Sequence, residues 1–190
     1  MSRVEELRQT VERAFAEREY PGDERIADSD SRYRDYEGHA VTAVHRGKRW
    51  QEITLRHLRE DYEGDSTACL AFMTPEGWRY YLPAYLLIAL EWKESDAIGD
   101  AVVFALTHPR ARVESYFRVA TDLGLEPEAV LAKHSERFEE RMSDLREDEL
   151  AAVRAVLEHI AALVDAETEH LAPGLPNDAR VALESWPPTG

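Results

Sequence analysis

A single cysteine in 190 residues, Cys69, leaves no intramolecular disulfide to form, and its setting Ala68-Cys69-Leu70-Ala71-Phe72-Met73 reads as that of a small buried hydrophobe. Lysine is almost missing as well: only Lys48, Lys93 and Lys133 stand among 23 basic residues. Basic residues as a class are outnumbered by 38 acidic ones, giving a net charge of -15. Nucleic-acid affinity draws on Lys and Arg releasing counterions, so this balance argues against that class of partner. The densest basic run, Arg46-Gly47-Lys48-Arg49 before Trp50 with Arg56 and Arg59 following, is short, and Glu52, Glu60, Asp61 and Glu63 dilute it. No apolar run reaches the ~20 residues of a membrane span, and Met1-Ser2-Arg3-Val4-Glu5-Glu6 has no apolar signal core, so a soluble cytoplasmic protein is expected.

Catalytic signatures are absent too. There is no Gly-x-Ser-x-Gly elbow, and the nine glycines are scattered rather than gathered into a phosphate-binding loop. Seven histidines invite a metal reading, but the spacing of a zinc helix does not occur. His57 and Asp61 stand four apart and His39 and His45 flank one short helix, while His134 with Glu136 and His159 with Glu158 are too close to share a helical face. Solvated surface histidines are therefore expected, with no metal, no cofactor and no assigned catalytic residue.

What is present is helical periodicity. A hydrophobic fraction of 44% suits a globular chain, and 190 residues suffice for one helical domain with a real core. Ser2 with Glu5 forms a capping-box pattern ahead of Val4, Leu7, Val11, Ala14 and Phe15. Tyr20-Pro21-Gly22-Asp23 reads as a turn, and residues 24–36 as an exposed connection. A weak helix over Tyr36–His45 and a short one over Leu55–Asp61 follow, with Glu63-Gly64-Asp65-Ser66 as a loop. Ala68–Met73 reads as a short buried strand or extended link. Thr74-Pro75-Glu76 opens a helix, and Pro83 predicts a break or kink, with a second, buried central helix from Pro83 to Lys93. Asp96 is placed to cap a further helix through Leu106, although residues 101–107 would also tolerate a strand. Helices are predicted over Val113–Leu123 and Glu126–Met142. The clearest carries Leu150, Val153, Leu157, Ile160 and Val164 at alternating spacings of three and four, and its first turn holds Glu147, Asp148 and Glu149. That face spans about two heptads, which favours packing inside a bundle over a homodimer seam. A last short helix over Asn177–Glu184 precedes Trp186-Pro187-Pro188. The fold class is all-α, an irregular multi-helix bundle.

One segment concentrates aromatic rings: Trp78, Tyr80, Tyr81, Tyr85 and Trp92, with Arg79 among them. Buried tyrosines keep hydroxyls that need partners, so Trp50, Trp78, Arg79, Tyr80, Tyr81 and Tyr85 form the candidate ligand or partner contact. The competing and favoured reading is that these rings are the core.

Pro21-Gly22-Asp23, Arg46-Gly47-Lys48-Arg49-Trp50 and Thr74-Pro75-Glu76-Gly77-Trp78-Arg79-Tyr80-Tyr81-Leu82-Pro83-Ala84-Tyr85-Leu86 resemble an uncharacterised bacterial family, a domain of unknown function. The resemblance extends through Leu145–His159 and Ala179–Trp186, and is weakest over residues 110–133. Where the family places Thr-Pro-Glu at the start of its long late helix, this chain has Arg146-Glu147-Asp148, which implies a weaker N-cap. The resemblance implies a shared fold and brings no activity with it. Three functions are open on these grounds: an immunity- or inhibitor-like module whose acidic face binds a basic protein, a small-molecule binder or enzyme with a pocket near Trp50, Trp78, Tyr80 and Tyr81, and a structural homo-oligomer. The first is favoured by the charge.

Overall fold

The computed structural model of the chain describes residues 1–28, 35–62, 64–95, 97–171 and 176–187. The expected Asp96 cap, Glu63 of the expected loop, Pro188 and part of the 24–36 connection lie outside them. Helix α1 spans Arg3–Ala14 and starts at the predicted cap, where the Ser2 hydroxyl accepts the Glu5 N–H at 3.2 Å. Helices α2 (Asp35–His45) and α3 (Leu55–Glu60) follow, the latter capped by Thr54. Residues Cys69–Phe72 form a single helical turn, α4, so the strand or extended link expected at 68–73 is replaced by a turn whose last residue leads into one antiparallel bridge, Ala27 to Met73.

Helix α5 (Pro75–Leu90) is the buried centre, and it continues past Pro83 as one helix where two were expected. A proline inside a helix costs about 3 kcal/mol, because one N–H is missing and the ring crowds the previous turn. On α5 that cost is exceeded by burial on every side. Leu82, Leu86, Ile88 and Leu90 are all buried, and each such side chain contributes about 1.5–3 kcal/mol. The central helix thus ends at Leu90 instead of Lys93, and α6 (Trp92–Ser95) is a separate turn. Helix α7 (Ala97–Ala105) settles the choice at 101–107 in favour of helix. Then come α8 (Val113–Asp122), α9 (Pro127–Met142), α10 (Glu147–Leu171) and α11 (Asp178–Leu183). Around α5 pack α1, α7, α9, α10 and the turn Trp50–Glu52.

One sequence expectation fails because distant chain segments meet here. The 24–36 connection was expected to lie exposed, yet Ile26 is fully buried and its carbonyl accepts the Thr74 N–H at 3.1 Å. A Cβ on Gly77 would stand 2.2 Å from that same carbonyl oxygen, so only glycine admits the contact. The Leu150–Val164 face packs inside the bundle, the arrangement its two heptads favoured over a homodimer seam. Val153, Leu157 and Ile160 are fully buried, and α10 packs on α1, α5 and α11.

Candidate functional site

Five of the six aromatic-segment candidates are buried in the core, Tyr80 among them at the edge of a cleft. Trp50, Trp78, Tyr81 and Tyr85 are all buried, and the Tyr81 hydroxyl is committed to the carbonyls of His45 (2.7 Å) and Lys48 (2.9 Å) at the end of α2. Arg79 and Tyr80 alone of the six border that cleft, an open depression of about 400 Å³ between the end of α1, the start of α5 and the approach to α10. Trp92, outside the six, is half-buried against the core.

The cleft is built of charge. Arg18, Arg25, Arg79 and Arg146 meet there with Glu17, Glu19, Glu76 and Asp144, four basic and four acidic residues around one hollow. Behind them sits Glu149, whose side chain is completely buried. Arg18 grips it with both arms of its guanidinium, Nε to Oε1 at 2.6 Å and Nη2 to Oε2 at 2.5 Å, and reaches Asp144 with Nη1 at 3.0 Å. This fork-on-carboxylate geometry is the strong form of the ion pair. The Glu149 hydrogen bonds hold the Arg18 guanidinium above its ordinary pKa, and Arg18 in turn holds Asp144 below the usual carboxylate range. Glu149 also accepts the Arg146 backbone N–H at 2.8 Å. At the start of α10 the third helical residue thus reaches back over the first turn, as in half a capping box, while the cap residue itself is the arginine that the sequence places there. Arg79 donates to the Glu140 carbonyl at 2.7 Å and lies 3.6 Å from Asp144.

A second polar group lies in the core, beneath α5. His45 is fully buried, which corrects the expectation of a solvated surface histidine. Its Nδ1 faces the Val41 carbonyl at 2.8 Å and therefore carries the proton, leaving Nε2 to accept from the Tyr85 hydroxyl at 3.2 Å. Burial pulls this imidazole down to about 4. Cys69 lies between the Tyr85 and Tyr62 hydroxyls, and Tyr62 donates to Glu37 at 3.1 Å. Burial pushes the Cys69 thiol up to about 11. A neutral imidazole beside a protonated thiol is a structural network, because the thiolate is the nucleophilic species.

His108 lies 3.7 Å from Glu139, and His134 packs against the Tyr116 ring. His57 and Asp61 do face each other, Nδ1 to carboxylate at 2.7 Å, but no group of three or more metal-ligating side chains forms among the described residues. No helix among them is long and apolar enough to cross a membrane. Sequence reasoning passed over Arg18, read Glu149 only as a first-turn acid and read His45 as a surface histidine. The last was findable, since Val41, Val44 and His45 share one helical face; Arg18 and Glu149 are 131 residues apart and carry no joint signal.

Comparison with curated proteins and with solved structures yields no match. One family pattern covers residues 3–186, nearly the whole chain and including every residue of the cleft and of the buried network, and by it the protein belongs to the family of unknown function DUF6714.

Proposed function

We propose that the protein is a non-catalytic interaction module that captures a basic protein partner in the cytoplasm, in the manner of an immunity or inhibitor protein. The observation that supports it is the placement of the acidic surplus. Glu149 is the one fully buried carboxylate among the described residues, and its charge is consumed by arginines; the other described carboxylates reach solvent. The -15 charge is therefore a surface property, available to steer a cationic partner and to suppress acidic ones. Tagged protein incubated with host lysate at low salt should retain one stoichiometric partner of high isoelectric point, released near about 0.5 M salt as screening sets in. Recovery of no partner, or of an acidic one, would sink this reading.

The cleft supports a second reading, a small-anion binder. Arg25, exposed at its rim, has no ion-pair partner among the described residues, and Tyr80 and Pro21 give the cleft an apolar wall. Of Trp50, Trp78, Tyr80 and Tyr81, where the sequence placed an aromatic pocket, only Tyr80 borders this cleft, and the other three are packed in the core. A dicarboxylate or phosphate titration followed by thermal shift checks it: wild type should gain stability and Arg25→Ala should not.

A further inference from the structure

Six large hydrophobic side chains stand exposed among the described residues, and four of them gather at one end of the molecule. Helices α8 and α9 form a hairpin whose turn is a Schellman arrangement. Gly124, at φ +66°, donates to the Thr121 carbonyl at 3.0 Å, and Leu125 donates to the Ala120 carbonyl at 2.8 Å. Leu125 remains 51% exposed, Leu123 68% and Val119 52%. Tyr116, Val119 and Leu123 are spaced three and four apart, so they share a face of α8. At its far end Phe104 of α7, 45% exposed, stacks on Tyr116 with ring centroids 6.3 Å apart. Single exposed hydrophobics need no explanation, but a continuous apolar stripe with a polar rim marks an interaction surface.

The rim states what kind of partner fits. Between Arg118 and Lys133 the hairpin carries Asp122, Glu126 and Glu128 and no cation. None of the three carboxylates makes an ion pair among the described residues, whereas Arg112, which lies over Phe104 at 4.9 Å, is neutralised by Asp178 at 3.1 Å. A second copy of the chain would set these same carboxylates against themselves in a two-fold contact. A helix with an apolar stripe flanked by Lys or Arg would bury the leucines and pair the carboxylates together.

We propose that the Phe104–Leu125 stripe is a docking surface for a basic amphipathic helical segment of another protein. It rests on the interaction reading and names the site and chemistry of the partner. The test is fluorescence-anisotropy titration with a labelled leucine–lysine amphipathic peptide of about five turns, against a scrambled peptide of identical composition. The amphipathic peptide should bind at least about tenfold more tightly than the scramble, and the Val119→Asp, Leu123→Asp double variant should lose about tenfold with its thermal melting unchanged. Asp122→Asn, Glu126→Gln, Glu128→Gln should weaken binding and flatten its salt dependence. Equal binding of both peptides, or undiminished binding by the double variant, overturns the proposal. So does sedimentation showing a dimer that Leu123→Asp dissolves, because the face then belongs to a second copy. Host-lysate capture with wild type and double variant separates the two levels. A partner lost by the variant supports the site; a partner held by both sinks the site but spares the interaction reading; and none on either sinks the interaction reading itself.

Discussion

At the scale of single residues, the strongest consequences come from charges placed where water is absent. The Glu149 side chain is completely buried and forms ion pairs with Arg18 and Arg146. Removing one partner of such a pair strands the other, which costs more than the pair itself contributes. Glu149→Gln should therefore destabilise the chain by about 3–5 kcal/mol in urea unfolding, while Arg18→Met with Glu149→Leu, which removes both charges, should cost much less. A double variant as unstable as the single one would show that packing, not the stranded charge, sets the cost. His45 gives a second test through pH. Its folded value of about 4 lies below the 6.5 of an unfolded histidine, so the unfolded chain takes up the proton first. Stability should hold above pH 6.5 and fall as pH drops from there towards 4, by up to about 3 kcal/mol across the window. His45→Gln, followed by chemical denaturation at pH 7 and pH 5, should flatten that fall. An unchanged slope would assign it to other groups.

At the scale of elements, the start of α5 shows how a helix is fixed by chain far from it. Thr74 caps the helix, accepting the Gly77 N–H at 3.0 Å, and its hydroxyl donates to the Arg25 carbonyl at 2.5 Å. The Ile26 backbone then lies against Gly77, where a methyl group would fall within 2.2 Å of a carbonyl oxygen. Gly77→Ala should cost about 3 kcal/mol, since backbone on both sides must move, although alanine is the better helix former by about 1 kcal/mol. A stabilised variant in thermal melting would refute the close approach. Much of the element list was legible because its signals are local. Ser2, Thr54 and Thr74 cap helices beside their own sequence, and the α10 periodicity spans its own length. Pro83 misled because its penalty is local while the burial that exceeds it comes from α1, α7, α9 and α10. Ile26 and the Glu149–Arg18 pair were illegible for the same reason: each depends on contacts between residues far apart in the chain. Of the aromatic segment, Arg79 and Tyr80 reached the cleft, and burial claimed the other rings.

At the scale of the whole molecule, one unbalanced charge distribution acts on everything else. The halves differ: residues 1–95 carry 14 basic and 19 acidic residues, while residues 96–190 carry 9 and 19. Folding concentrates this surplus into a small volume, so repulsion opposes the native state more than the expanded one. Salt acts on two terms of opposite sign. It screens surface pairs such as Arg56–Glu60 and Arg49–Glu52, which are exposed and contribute about 0–1 kcal/mol each, and it screens the repulsion among the unpaired carboxylates. The second term should win, because the surplus is uncompensated while each exposed pair is weak. Raising salt from about 10 to 150 mM shortens the screening length from about 30 to 8 Å. We expect the melting temperature to rise across that range by about 2–4 °C for each kcal/mol of relieved repulsion. The charge-reduced variant Asp122→Asn, Glu126→Gln, Glu128→Gln should start higher and gain less. A melting temperature that falls with salt would mean the arginine-centred pairs, and not the surplus, dominate the electrostatics of the fold.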